Sequence, residues 1–210
     1  MHFIGDVHGK LTMYLKMVSY LKDTIQLGDF GLGFGGNMSR DKMYHDKLNE
    51  MIADRHMILR GNHDNPAAYK NLPTYLGDYG MYKGIFFISG AYSIDKCLRT
   101  EGVTYWSDEE LRIVELDKAI SLFNKEKPSV VISHTCPLEI IGETSTIKLS
   151  IKSRTSQALQ AIMDSNHKPK EWIFGHMHCS YRKKVKGINF VGLNEMELYT
   201  PKYTLPEWKD

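Results

Sequence analysis

The chain has 210 residues, of which 42% are hydrophobic and 25% charged, with 27 basic against 25 acidic side chains. That length suits one domain with a real core, spanning residues 1–210. A net charge of +2 disfavours a nucleic-acid-coating or membrane-surface protein. No apolar run approaches the roughly 20 residues needed to cross a bilayer. The N-terminus lacks the basic-then-apolar pattern of a secretory leader. Cys97, Cys136 and Cys179 are widely spaced and form no CxxC pair or disulfide framework. Together these point to the cytoplasm.

In chain order, short apolar runs alternate with amphipathic segments. Residues 1–5 read as a strand ending at Asp6. Residues 10–22 read as a helix with Leu11, Tyr14, Leu15 and Val18 on one face. A strand over 24–27 ends in Gly28-Asp29, and 38–55 reads as a helix. A strand over 56–59 ends in Arg60-Gly61-Asn62-His63-Asp64, and 84–89 is strand-like. Ser107 with Glu110 has the spacing of a capping box, which predicts a helix over 107–123. A strand over 129–132 precedes Ser133-His134, a helix covers 153–164, and a strand over 171–174 precedes Gly175-His176. Residues 183–193 read as a hairpin turning near Gly187. The alternation predicts an α/β layered domain. The hairpins predict a mixed sheet, or two mixed sheets packed as a β-sandwich flanked by helices.

One regularity stands out. Five times an apolar run stops and a metal-competent residue follows: Asp6, Asp29, Asn62, His134 and His176. Ligands of open α/β sheets gather outside the carboxyl ends of strands, so these residues are expected to converge. In Asp6-x-His8 and His176-x-His178, alternate residues of an extended segment project the same way and can reach one ion. Carboxylates, imidazoles and an amide form a mixed oxygen and nitrogen set. It suits Mn²⁺, Fe²⁺ or Zn²⁺, with Ni²⁺ or Co²⁺ also candidates, better than Ca²⁺. Glycines before Asp29, Asn62 and His176 leave room for sharp bends. Singly, each aspartate could be a turn residue and each histidine a structural one. His2, His45, His56 and His167 fall outside the blocks and read as structural or surface residues.

The ordered set Asp6-Val7-His8, Gly28-Asp29, Gly61-Asn62-His63-Asp64, His134 and Gly175-His176-Met177-His178 resembles the calcineurin-like metallophosphoesterase superfamily. The resemblance spans residues 6–178 and implies two divalent ions, manganese foremost. One would take Asp6, His8, Asp29 and His178. The other would take Asp29, Asn62, His134 and His176. It implies a metal-bridging hydroxide attacking phosphorus, with His63 protonating the leaving oxygen and Asp64 orienting His63. The motifs look most like the branch of protein Ser/Thr phosphatases and diadenosine tetraphosphate hydrolases. That branch carries Asp-Arg-Gly after its Gly-Asp, and its arginine clamps phosphate. Here Asp29-Phe30-Gly31 follows, with no arginine before Arg40.

Substitutes for the missing clamp are Arg60, Arg99 and Arg154, with Asn62 beside the phosphate. Residues 90–106 and 135–154 are candidates to line the cleft. The expected substrate is a phosphorylated small molecule or protein, hydrolysed as a monoester. A phosphodiesterase or nuclease is the alternative. A non-catalytic scaffold is a third class, but such members lose ligands or the catalytic histidine and this chain keeps them. The cluster Arg182-Lys183-Lys184 with Lys186 reads as a protected edge strand. Gly31-x-Gly33-x-x-Gly36 matches a dinucleotide fingerprint but follows a strand already assigned to Asp29, so it reads as a plain loop. Asp29-Phe30-Gly31 also spells a kinase triplet, without the motifs that accompany it.

Overall fold

The computed structural model describes residues 1–51, 55–144 and 153–202. Within them, strands sort into two sheets. The first has the order β10-β1-β2-β3, from Leu198–Tyr199, His2–Ile4, Thr24–Gln26 and His56–Ile58. The three long-range partners β1, β2 and β3 are parallel, and β10 closes one edge antiparallel. The second has the order β4-β5-β6-β7-β9-β8, from Tyr79–Tyr82, Ile85–Ile88, Val130–Ser133, Glu171–Phe174, Ile188–Gly192 and Tyr181–Val185. Its centre is parallel and its two outer pairs antiparallel.

Alternation along each strand builds four layers, because successive side chains point to opposite faces. Phe3, Ile25, Leu27, Met57 and Leu59 meet Ile85, Phe87, Val130, Ile132, Ile173 and Val191 between the sheets. The intervening residues face outward. Ile4 and Ile58 pack under α1 (Leu11–Val18) and α2 (Met38–Glu50). Phe86, Ile88, Val131, Trp172 and Phe174 pack under α4 (Ile113–Glu126), α5 (Leu138–Thr144) and α6 (Arg154–Asp164). A one-turn helix, α3 (Pro66–Tyr69), follows β3. The expected sandwich of mixed sheets between helices is what forms.

Several boundaries differ from expectation. The first helix ends at Val18 instead of residue 22, with Ser19 as its cap. The second ends at Glu50; residues 52–54 lie outside the described residues. The Ser107–Glu110 box does not start a helix. Residues 107–112 are irregular and α4 begins at Ile113, where Glu115 accepts the backbone N–H of Arg112 at 2.9 Å. Glu109 and Glu110 turn inward instead. Glu110 accepts the Thr155 N–H and the Ser153 hydroxyl at the start of α6, both at 2.9 Å. The hairpin spans Tyr181–Val185 and Ile188–Gly192, with Lys186 and Gly187 at positive φ in its turn.

Candidate metal centre

The five strand-end residues come together at one edge of the sandwich. Asp6 follows β1, Asp29 follows β2 and Asn62 follows β3 in the first sheet. His134 follows β6 and His176 follows β7 in the second. Two groups of donor atoms result. Asp6, His8, Asp29 and His178 each place one ligand atom within 4.8 Å of the others, and so do Asp29, His134 and His176. Asp29 belongs to both. In the first group, His178 Nε2 is 3.0 Å from Asp6 Oδ2 and 2.9 Å from His8 Nε2. In the second, His134 Nε2 lies 3.3 Å from Asp29 Oδ1 and 3.2 Å from Asn62 Oδ1, which sets the Asn62 amide beside that group.

The backbone is bent to serve these contacts. His8, Asp29, His176 and His178 all have φ between 46° and 64°, a left-handed region that Asp and His tolerate at modest cost. Gly61 is required for a different reason, since its φ is ordinary. A Cβ there would lie 2.1 Å from Asp29 Oδ1 and 2.6 Å from His134 Nε2. Gly175 similarly faces Asp6 Oδ1 at 2.3 Å. These glycines leave room for the ligands themselves.

Second-layer bonds set the orientation of the donors. His134 Nδ1–H donates to the Leu27 carbonyl at 2.7 Å, turning Nε2 toward the cluster. Asp6 accepts the His176 N–H, and Asp29 accepts the His63 N–H at 2.7 Å. Asn62 donates its amide to Ser93 Oγ at 3.0 Å, which points the amide oxygen at His134. Ser93 in turn donates its hydroxyl and its N–H to Glu109, at 2.6 and 2.8 Å. Glu109 is 3% exposed. Glu195 lies 3.5 Å from His178 Nδ1 and pairs with Lys10. The sequence marks Ser93 only as part of the cleft-lining segment 90–106, and no local motif marks Glu109 or Glu195.

Charge is distributed unevenly over the cluster. Burial opposes protonation of His134, but the Asp29 carboxylate overcomes it and raises its pKa to about 9. His176 is pushed down to about 3 by burial, then by the charge on His134. Despite burial, Asp6 stays below the usual carboxylate range because His178 and His8 bond to it. Burial also lowers His63, with the Arg99 cation adding to the effect against Asp29.

His63 is in the site but outside both ligand groups. Its ring stacks on Phe34 at 4.8 Å and meets His8 edge-on at 4.9 Å. Arg99 Nη2 donates to its Nε2 at 2.8 Å. Arg99 is itself held by Asp95 at 2.8 Å, with Ser93 Oγ and the Thr104 carbonyl each at 3.4 Å. Of the three arginines expected to contact substrate, Arg99 alone reaches His63 in the structure. Arg60 is 3% exposed and committed to the Glu109 carbonyl at 2.9 Å and Asp78 at 3.1 Å. Arg154 lines a neighbouring cleft, 3.8 Å from Glu110.

Asp64 is placed otherwise than expected. Its carboxylate accepts backbone N–H groups from Gly61, Gly31, Leu32 and Phe30, at 2.7 to 3.3 Å. It staples the loop after β2 to the loop after β3 and makes no hydrogen bond to His63 among the described residues. The same bonds dispose of the dinucleotide fingerprint. The Gly31 N–H serves Asp64 and the Gly33 N–H serves Asp41 at 3.1 Å. Outside the site, His56 bonds Thr24 at 2.9 Å, His167 the Pro128 carbonyl at 2.7 Å and His2 Thr200 at 2.7 Å, as structural histidines do.

A sequence profile of the calcineurin-like phosphoesterase family matches residues 2–180. No curated protein matches the chain in sequence. Among solved structures, the chain is similar in fold to a phosphopantetheinyl hydrolase from Mycobacterium tuberculosis, with a TM-score of 0.55 and 12% identity over 92% of this chain and 89% of that one. A putative 5′-nucleotidase from Staphylococcus aureus aligns with a TM-score of 0.49 and 13% identity, over 93% of this chain and 48% of its own length. No helix among the described residues is long and apolar enough to cross a membrane. The chain therefore belongs to the calcineurin-like phosphoesterase family and is a metal-dependent hydrolase of phosphate esters.

Proposed function

We propose that this chain is a binuclear phosphomonoesterase acting on small phosphorylated molecules. The observation that carries the reading is the shared carboxylate: Asp29 belongs to both donor groups. Asp6, His8, Asp29 and His178 would hold one ion, and Asp29, Asn62, His134 and His176 the other. The donor chemistry fits. Mixed carboxylate, imidazole and amide ligands suit Mn²⁺ or a neighbouring transition ion. When bound, two such ions supply an acidified water for attack on phosphorus and neutralise the phosphoryl oxygens.

Protein groups do the rest. A guanidinium only donates, so the Arg99 bond to His63 Nε2 leaves that nitrogen without a proton. An incoming phosphate offers Arg99 a better acceptor, and a bidentate Arg–phosphate pair is a strong one. Arg99 thus takes the place of the missing arginine after Asp29. Once Arg99 turns to the phosphate, His63 is freed, and the dianion beside it raises its pKa. His63 can then hold a proton on Nε2 and hand it to the leaving oxygen. Phe34, stacked on the ring, fixes its plane.

One further observation supports a small substrate over nucleic acid. Arg182 pairs with Glu197 at 2.6 Å, Lys183 with Glu143 at 2.8 Å and Lys186 with Asp164 at 2.9 Å. Those cations are neutralised within the fold and form no phosphate track. Three free thiols suit the reducing cytoplasm, where we place the protein.

Elemental analysis after Mn²⁺ loading is expected to approach two ions per chain, one for each donor group. Saturation at one ion would sink the binuclear reading. p-Nitrophenyl phosphate is expected to be the better substrate than its bis-ester. A diester preference of about tenfold, or 1.4 kcal/mol, would replace the monoesterase by a phosphodiesterase.

A further inference from the structure

Beside the metal centre lies a cleft of about 270 Å³, walled by Tyr92, Lys96, Tyr105, Ser107, Glu109, Glu110 and Arg154. Tyr92 also walls a narrow crevice that reaches the ligand His176. On its other side, Glu109 bonds Ser93, which bonds Asn62. The cleft thus shares Tyr92 with that crevice and Glu109 with the hydrogen-bond chain to Asn62, which sets it next to the donor cluster. We propose that it seats the leaving group of the substrate, and that Lys96 reads a negative charge there. The inference rests on the phosphoesterase reading and adds to it a substrate class: a compact phosphomonoester with a second anionic group.

Volume is the first argument. Pockets for drug-sized ligands run from about 300 to 1,000 Å³, so this cleft admits a small leaving group and not a folded polypeptide surface. Charge is the second. Glu109 gives both its oxygens to Ser93, and burial, foremost, raises its pKa toward the neutral form. Glu110 accepts from Ser153 and Thr155 and faces Arg154. The acidic walls are thus engaged from within. Lys96 is the cation left over: its Nζ sits 4.7 Å from the Tyr92 ring and 5.7 Å from the Tyr105 ring. Among the described residues no carboxylate comes within ion-pair distance of it.

Position is the third. Lys96 opens the single helical turn Lys96–Leu98, and Arg99 caps it. That turn is locked by the Arg99–Asp95 pair. One short segment therefore presents two cations in different directions, Arg99 onto His63 and Lys96 into the cleft.

Phenyl phosphate and 4-carboxyphenyl phosphate isolate the charge, since they differ by one remote carboxylate. The Mn²⁺-loaded protein is expected to favour the carboxylate ester in kcat/KM by roughly tenfold or more, the size of one charge-assisted bond. Lys96→Met should bring that ratio close to one, and Lys96→Arg should restore most of it. Equal turnover of the two esters by the wild type, or a preference that survives Lys96→Met, would overturn the inference while leaving the phosphoesterase reading in place. Absence of turnover of both esters would overturn the reading and the inference together.

Discussion

At Asn62 and His63, neighbours in one motif, the chain assigns two adjacent side chains to different tasks. The amide of Asn62 is oriented by Ser93, whose hydroxyl donates to the buried Glu109 and must therefore accept from Asn62. Removing that hydroxyl frees the amide to flip. Ser93→Ala is expected to weaken metal binding about 10- to 100-fold, the range for lost outer-shell partners, as measured by Mn²⁺ titration calorimetry. Ser93→Thr should recover most of the affinity. An unchanged affinity in Ser93→Ala would leave the Ser93–Glu109 pair a purely structural feature. His63→Ala should behave in the opposite way, retaining both metal equivalents while kcat falls by about 10²–10⁴-fold. The loss should be smaller for p-nitrophenyl phosphate, whose leaving group needs little protonation. Metal loss from a folded His63→Ala protein would remove the leaving-group role.

Secondary-structure elements are joined at the opposite side from the site by a single carboxylate. Asp23, just before β2, bonds Arg55, just before β3, with Arg55 Nη2 at 2.7 Å. It also bonds Lys83 in the turn between β4 and β5 at 3.1 Å, so it ties one sheet to the other. Arg55, foremost, and Lys83 hold its carboxyl well below the usual range. A depressed folded-state pKa stabilises above the unfolded value, and the contribution disappears as pH falls toward the folded one. Asp23→Asn is expected to cost less than about 1 kcal/mol near pH 7, because the group is partly exposed. The difference from wild type should begin to narrow below about pH 4 and continue to narrow as pH falls further. Urea midpoints for the two proteins across pH 3–7 test this. A gap that stays constant with pH would assign the effect to packing.

Across the whole molecule, the donor groups draw on both sheets: three strand ends from one and two from the other. A cation bound there pins the sandwich along its edge, and a ligand that binds only the folded state stabilises by mass action. Saturating Mn²⁺ at a hundredfold above its dissociation constant is expected to add about 2.7 kcal/mol, read as a rise in Tm that a chelator reverses. Asp29→Asn should blunt the rise, since it weakens both groups at once, while keeping a left-handed backbone that Asn accepts. A Tm indifferent to Mn²⁺ would count against metal binding at these groups.

The donors and the layered fold were legible in the linear chain for a physical reason. Each donor block follows a strand, and a strand's period of two and its termination are local properties. Asp6, His8, Asp29, Asn62, His134, His176 and His178 could therefore be placed without knowing what packs against what. The partners of the other polar groups were decided by tertiary structure. Asp64 sits beside His63 in sequence, yet its oxygens meet N–H groups of the loop after β2. Arg60 precedes the motif but points to Glu109 and Asp78. Ser107 and Glu110 have the spacing of a helix cap, yet Glu110 satisfies the start of α6 instead. A buried hydrogen-bonding group takes whichever partner the fold delivers. Proximity along the chain predicts that partner only where secondary structure holds the two together, and these residues lie in loops.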